Sequence, residues 1–315
     1  MGAGHARFLR ESVTGADVCA ITDIDYKRSY DLIKDLGGDI SYHENVQSLL
    51  ALDNLDGLII ASPDSLHVEH LKLAMKRNIP TLCEKPIATN VDEALSIAEQ
   101  IQNFEKSAGK PMIHFGFMRR FDPAYRKVKS MIQTGTYGEP LFVRTITRNV
   151  SSKGVTTEGL YTNIAVHDFD IWRWVLNDEW VSVSTHYPKR SSLSPTGLID
   201  PLVFTAKFKG GVLMVADIVA NNNYGYDVRT EVLCEKGSIE IGIFGDVITR
   251  ANHFAEIPLG GKMVENWMPR FEAAYIQELT AWTHYLSTGE INQDLATVED
   301  GLKATQACAL GLASI

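Results

Sequence analysis

"MGAGHARFLRESVTGADVCAITD" (residues 1–23) is the stretch on which the reading of the fold turns. It holds a Gly-x-Gly pair at Gly2 and Gly4, then a stretch with helical character, then the apolar run "DVCAITD" (17–23), which closes on an acid. A dinucleotide-binding fold opens in this order, but with a strand ahead of the glycine loop. Here only Met1 precedes Gly2. Asp23 stands about 20 residues beyond the glycines, where a carboxylate accepts both ribose hydroxyls and selects NAD over NADP. No arginine follows it directly; the nearest is Arg28, one turn inside the next helix.

The glycines fit the fingerprint in two registers. If Gly2 and Gly4 are its first two glycines, the third falls on Arg7 and the helix runs from about residue 4 to about residue 13, roughly 15 Å. If Gly2 is the third glycine, the helix begins upstream and reaches roughly 20 Å, the return path along a six-residue strand. The second register fits better and makes Gly2 a cofactor-binding residue. It implies a reading frame that starts upstream, with Met1 internal. The absent strand would be central, and the apolar burial of about six residues there is on the order of 10 kcal/mol. That rivals the net stability of a whole domain, about 5–15 kcal/mol. A stop codon immediately before Met1, with native protein of this mass in cells, would overturn this expectation.

The pattern that follows is strand and helix in alternation. "LDGLIIAS" (55–62), "IPTLCEKP" (79–86) and "KPMIHFGF" (110–117) are apolar runs without alternation. "YKRSYDLIKDLGG" (26–38), "SLHVEHLKLAMKRN" (65–78) and "NVDEALSIAEQIQNFEKS" (90–107) carry apolar residues at helical spacing. Together they predict a parallel sheet covered on both faces. After about residue 118 the pattern changes. Strands are predicted at 140–149, 181–188, 202–208, 211–220, 227–242 and 245–252, several joined by glycine-containing turns, with helices at 122–134, 163–176, 269–287 and 298–314. Alternating strands on short turns make an antiparallel sheet. The fold class is therefore α/β: a Rossmann-type parallel-sheet domain over 1–118 whose first strand is missing, and an α+β domain over 119–315 with a large, open, mostly antiparallel sheet. One face of that sheet carries Val, Ile and Phe, which suggests a subunit contact.

A net charge of -9 over 315 residues argues against a broad nucleic-acid or anionic-membrane partner. Cys19, Cys83, Cys234 and Cys308 lie in apolar stretches without a C-x-x-C pair, as free thiols of a cytoplasmic protein do. No apolar run approaches the roughly 18 residues of a membrane span, and the N-terminus has no apolar signal region. His67 and His70 share a helix, but no third ligand follows at metal-binding spacing, so no metal is expected.

"CEKPIA" (83–88) is the sharpest local signal, because a lysine and a proline directly after a buried parallel strand stand where ligands bind. With "ASPDSLHVEH" (61–70), "GFMRRFDPAYRKVKSMIQTGTYGEPL" (116–141) and "NIAVHDFDIWRWVL" (163–176), it resembles the Gfo/Idh/MocA oxidoreductases over essentially the whole chain. "NYGYDVRTEV" (223–232) and "WMPRFEAAYIQEL" (267–279) narrow the resemblance to inositol 2-dehydrogenases. The resemblance implies NAD-dependent oxidation of a ring hydroxyl of a cyclic polyol, myo-inositol or a relative, to a ketone by hydride transfer. It implies a homo-oligomer, dimer or tetramer, paired through the C-terminal sheets.

Carried onto this chain, the resemblance places Ser62, Pro63, His67, Glu84, Lys85 and Pro86 around the cofactor. Lys85 becomes the cation that holds and polarises the substrate oxygen. His167 becomes the base, a role imidazole suits because it titrates near working pH. Arg119, Arg148, Asn149, Asn163 and Tyr226, with Tyr224 behind it, become the polar groups around a ring of hydroxyls. Tyr224 and Tyr226, two apart, are expected to point the same way. Asn163 precedes His167 by four, which places both on one face of an α-helix. Inositol dehydrogenases of this type carry an aspartate there; an amide orients an imidazole but brings no charge. Asp170 reads as a helix-anchoring group. Two alternatives stay open: a dehydrogenase of another sugar or polyol, and a catalytically silent sugar- or nucleotide-binding sensor.

Overall fold

The computed structural model describes residues 1–222, 224–242, 247–251, 254–255 and 264–315. Asn223 and, of the strand expected at 245–252, Gly245, Asp246 and Asn252 lie outside the described residues. The chain divides into two compact units, Met1–Met118 with Tyr275–Leu302, and Arg119–Ala274 with Lys303–Ile315.

The first unit runs α1 (Gly2–Glu11), β1 (Ala20–Thr22), α2 (Tyr26–Leu36), β2 (Ser41–His43), α3 (Val46–Leu50), β3 (Leu58–Ile60), α4 (His67–Arg77), β4 (Thr81–Glu84), α5 (Val91–Ala108) and β5 (Ile113–Gly116). Every strand pair is parallel, as unbroken apolar runs between helices require. All residues of β4 and β5 are buried. Asp25 and Asn90 cap α2 and α5 by accepting hydrogen bonds from the amides of Arg28 and Glu93. The short β2 and α3 were not anticipated, since three part-exposed residues at 41–43 leave no apolar run to read.

The parallel sheet is in two pieces, β1-β2 and β3-β4-β5. In the doubly wound order, β2 and β1 take the third and second positions and β3, β4 and β5 the fourth to sixth. β1 and β3 are not paired with each other. All residues of β1 are half-buried. Gly2 and Gly4 both lie inside α1. The helix thus starts two residues ahead of the position near residue 4 that the first register gives.

Residues 275–302 belong with the first unit, which corrects their assignment to the C-terminal domain. Their packing explains it. A side chain at Gly57 would collide with Trp282 and Leu286. The Tyr285 hydroxyl donates to the Pro111 carbonyl, and the Phe115 amide donates to the Ala296 carbonyl at 2.9 Å.

The second unit holds α6 (Pro123–Gln133), β6 (Pro140–Arg148), the one-turn α7 (Thr157–Gly159), a π-helical turn over Leu160–Ala165, and α8 (Val166–Leu176). Then come β7 (Trp180–His186), β8 (Leu202–Phe208), β9 (Leu213–Val219), β10 (Asp227–Cys234), β11 (Gly237–Ile241), β12 (Val247–Ala251) and β13 (Phe254–Ala255). The helices α9 (Trp267–Thr288) and α10 (Val298–Ala313) each divide between the two units. The strands form one eight-stranded sheet in the order β13-β12-β11-β10-β6-β9-β8-β7, antiparallel except for β6 beside β9. One face is core: Val143, Thr145 and Thr147 of β6 and Phe204, Ala206 and Phe208 of β8 are buried. Tyr161, Phe169 and Trp180 pack against those phenylalanines, with Phe169 and Phe204 centred 5.1 Å apart. Each such ring contributes roughly 1.5–3 kcal/mol of burial. The opposite face, with Arg144, Ile146, Arg148, Val215 and Asp217, is half-buried or exposed, as an open sheet predicts.

His114 on β5 is buried edge-on to Tyr285, and its Nδ1 meets no partner. Burial pushes its pKa down to about 4. The unfolded chain, with a histidine near 6.5, binds this proton first, so the neutral ring's contribution is whole above pH ~6.5 and is lost as pH falls towards about 4. The loss reaches about 3 kcal/mol. Urea unfolding at pH 7, 5.5 and 4.5 is expected to show a smaller acid loss for His114→Leu than for the parent; equal losses would refute the assignment.

Candidate active site

In the first unit the expected residues stand at the carboxyl ends of parallel strands. Asp23 follows β1; its carboxylate accepts from the Asp25 amide at 2.9 Å and lies 3.9 Å from Arg28. Ser62 and Pro63 follow β3, with the Ser62 hydroxyl 3.0 Å from His70 Nδ1. Burial lowers the pKa of His70. Glu84 ends β4, and Lys85 and Pro86 follow it through a cis peptide bond. Glu84 and Pro86 are buried while Lys85 is half-buried, so it is the accessible residue of the three.

A buried carboxylate needs a partner. Glu84 has His5, from α1, whose Nε2 is 2.7 Å from Glu84 Oε1. Burial alone would raise the Glu84 pKa, but the hydrogen bond and charge of His5, with Lys85 beyond, hold it below the usual carboxylate range. Gly116 on β5 leaves the room for it: a Cβ there would lie 3.2 Å from the Glu84 carboxyl. His67 has no exposed surface. Its Nδ1 is 2.7 Å from the Pro86 carbonyl and its Nε2 3.0 Å from the Ser62 carbonyl, so it joins the loops after β3 and β4. Sequence reasoning missed His5, because a histidine three residues past a glycine carries no signal until its partner is known.

In the second unit the expected substrate residues fall into two groups. Arg119 is 2% exposed and donates to Asp168 at 2.6 Å; Thr145 donates to the same oxygen at 3.0 Å. Tyr226 is buried against that guanidinium; burial pushes its pKa up to about 12 although Arg119 and Arg270 pull the other way. Arg120 and Asp170 form a second buried pair, with Arg120 Nε 3.0 Å from Asp170, so Asp170 anchors α8 as its sequence reading has it. Arg119 and Tyr226 are thus committed inside the unit's own core.

Arg148, Asn149, Asn163, His167 and Tyr224 keep accessible surface. Arg148 pairs with Asp217, and the Tyr224 hydroxyl donates to Asp227 at 2.7 Å. The backbone of Asn149 is bonded to Val219 and Asn222. Tyr224 is exposed while Tyr226 is buried; both precede β10, and Gly225 between them adopts φ 126°, so strand alternation does not govern the pair. Asn163 is exposed in the π-helical turn, and His167 is half-buried in the first turn of α8. The four-residue spacing argument holds for an unbroken α-helix, and here the helix changes type between the two residues. A π-turn shifts the register of the side chains it carries and is frequent at functional sites. Among the described residues no group of histidine, cysteine and carboxylate side chains has a metal-binding arrangement.

Comparison with known proteins covers both units. Residues 1–110 match the family model described as oxidoreductase family, NAD-binding Rossmann fold, and residues 125–240 match the GFO/IDH/MocA C-terminal domain. The chain is 32% identical to inositol 2-dehydrogenase 4 of Saccharopolyspora erythraea over 315 residues, covering 100% of this chain and 90% of that one. It is 34% identical to inositol 2-dehydrogenase of Streptomyces avermitilis, over 92% of this chain and 82% of the relative. Among solved structures, myo-inositol dehydrogenase from Lactobacillus casei in complex with NAD(H) and myo-inositol is similar, with TM-score 0.88, 29% identity, and coverage of 100% of this chain and 91% of that chain.

Removing one partner of a buried ion pair strands the other charge, at about 3–5 kcal/mol, whereas replacing both with apolar groups costs little. Asp168→Asn is therefore expected to lower unfolding stability by about 3–5 kcal/mol, and the double variant Arg119→Met with Asp168→Leu by less. Chemical denaturation checks this; a double variant worse than the single one contradicts the pairing account.

Proposed function

The chain belongs to the GFO/IDH/MocA oxidoreductase family and is an NAD-dependent dehydrogenase of the polyol type, and from that premise we propose that it oxidises a ring hydroxyl of myo-inositol or a closely related cyclic polyol to a ketone. The observation that carries the reading is the Glu84-Lys85-Pro86 corner, where a fully buried strand ends and Lys85 alone of the three residues keeps accessible surface. The donor set fits NAD. Asp23 offers a carboxylate to a ribose, the amino end of α1 at Gly2 offers backbone N–H groups to a pyrophosphate, and Ser62, Pro63 and the Glu84–Pro86 corner border the nicotinamide end. When bound, NAD accepts the carbinol hydride.

The chain's own residues do the rest. Lys85 donates to the substrate oxygen and stabilises the charge that grows there as the hydroxyl ionises. His167 takes the hydroxyl proton, and Asn163 acts on the orientation of the ring without supplying charge. Arg148, Asn149 and Tyr224 present accessible polar groups to further hydroxyls. His67, with no exposed surface, supports the cofactor loops from behind. A specific observation favours a second reading: an exposed amide in place of a carboxylate at Asn163 suits a protein that binds its ligand and turns it over slowly or not at all. A sugar or a different polyol as substrate is the nearer alternative. The free cysteines suit a reducing compartment, and no helix of the described residues is long and apolar enough to cross a membrane.

NADH absorbance, followed with NAD and a panel of inositols and hexoses, tests the reading. The expected outcome is turnover with an inositol, at least a hundredfold lower kcat for Lys85→Met and His167→Ala, and a kcat raised about tenfold by Asn163→Asp, well inside the ~10⁴ that the charge on a protease histidine is worth. Tight binding without NADH formation, in the parent and in the Asn163→Asp variant alike, would replace the enzyme by the sensor.

The open face of the eight-stranded sheet is the surface we assign to self-association, as a dimer or tetramer. Light scattering is expected to give a mass above the 34.9 kDa of one chain; a mass equal to it contradicts the assignment.

A further inference from the structure

Lys85 is flanked by two residues that cannot move freely, and in both cases a buried histidine holds them. On the amino side, Glu84 is 6% exposed and its Oε1 sits 2.7 Å from His5 Nε2. His5 is itself 2% exposed and stands edge-on to Tyr275, 5.8 Å between ring centres. On the carboxyl side, the Pro86 carbonyl sits 2.7 Å from His67 Nδ1, and the other nitrogen of that ring lies 3.0 Å from the Ser62 carbonyl. The two histidines come from different helices, α1 and the first turn of α4. One histidine fixes a side chain, the other a backbone carbonyl, and Lys85 is the residue between them.

We propose that His5 and His67 are positioning residues for Lys85, holding its two neighbours so that the amine keeps one place at the edge of the parallel sheet. Lysine has a flexible four-carbon stem, so its aim depends on how firmly its own backbone is set. Catalytic geometry tolerates about 0.5 Å of error. Glu84 cannot swing towards β5, because its carboxyl already occupies the space that Gly116 leaves open. Pro86 cannot lift away without parting its carbonyl from the His67 ring. Neither histidine is placed to touch the substrate, since both are 2% exposed or less. The inference rests on reading Lys85 as the residue that holds the substrate oxygen.

His5→Asn and His67→Gln each keep a side-chain N–H donor and guard against loss of the fold. Both are made in the parent and in Lys85→Met. Two readouts are taken: turnover with NAD and inositol, and competitive labelling of lysines with acetic anhydride, read by peptide mass spectrometry without cofactor. Expected in the parent background is a fall in kcat of at least tenfold with the KM for NAD within about threefold. Lys85 labelling changes at least threefold while Lys106 and Lys110 stay constant. In Lys85→Met neither histidine variant lowers the residual rate further, because residues that act through one group are not additive. Equal losses in both backgrounds, or unchanged Lys85 labelling in both variants, overturns the proposal. Parent-like turnover by Lys85→Met instead defeats the role given to Lys85, a result the labelling arm does not depend on. Should His67→Gln give no folded protein by circular dichroism, His5→Asn decides alone.

Discussion

Glu84 is a carboxylate almost without access to water, at the end of a strand buried at every residue. An isolated charge there would be strongly unfavourable, so the fold must bring it a partner. That partner is His5, from the first helix, seventy-nine residues earlier in the chain. The pairing binds α1 to β4 and sets the corner from which Lys85 emerges. His67 stands in a similar place one residue beyond Lys85, with a ring nitrogen within hydrogen-bond distance of the Pro86 carbonyl. A stable buried network and a well-aimed amine are thus two results of one arrangement.

The second unit meets the same constraint with arginines. Arg119 with Asp168 and Arg120 with Asp170 are pairs whose members are all 2% exposed or less. Both aspartates lie on α8, directly after His167. The guanidiniums precede α6, so the pairs fasten the helix that carries the imidazole to the segment that opens the unit. Buried ion pairs of this kind contribute little net stability but admit few alternative arrangements, because any displacement leaves a charge unpaired. The helix that carries His167 is therefore tied to the start of the unit by two buried ion pairs.

Much of this architecture is legible in sequence, because periodicity is local. Apolar runs at 79–86 and 110–117 correspond to β4 and β5, which are buried on both faces, and alternating runs after residue 140 correspond to strands with one open face. The short β2 escaped because three part-exposed residues carry no periodic signal. The membership of 275–302 in the first unit escaped because packing partners such as Gly57 and Trp282 are remote in sequence. The π-turn at Leu160–Ala165 escaped because the same residues also satisfy an α-helical spacing.

By itself, the sequence determined the class of the fold, the change of pattern near residue 118, and the positions of Asp23 and Lys85 directly after strands. Such features depend on neighbours within a few residues, where the backbone period dictates who faces whom. Only the tertiary structure decided that Arg119 and Tyr226 are buried in the core, that Tyr224 is exposed where Tyr226 is not, and that His5 and His67 sit beside Glu84 and Pro86. Burial and pairing are properties of groups brought together across the chain, and a residue's role changes when the water around it is replaced by a partner.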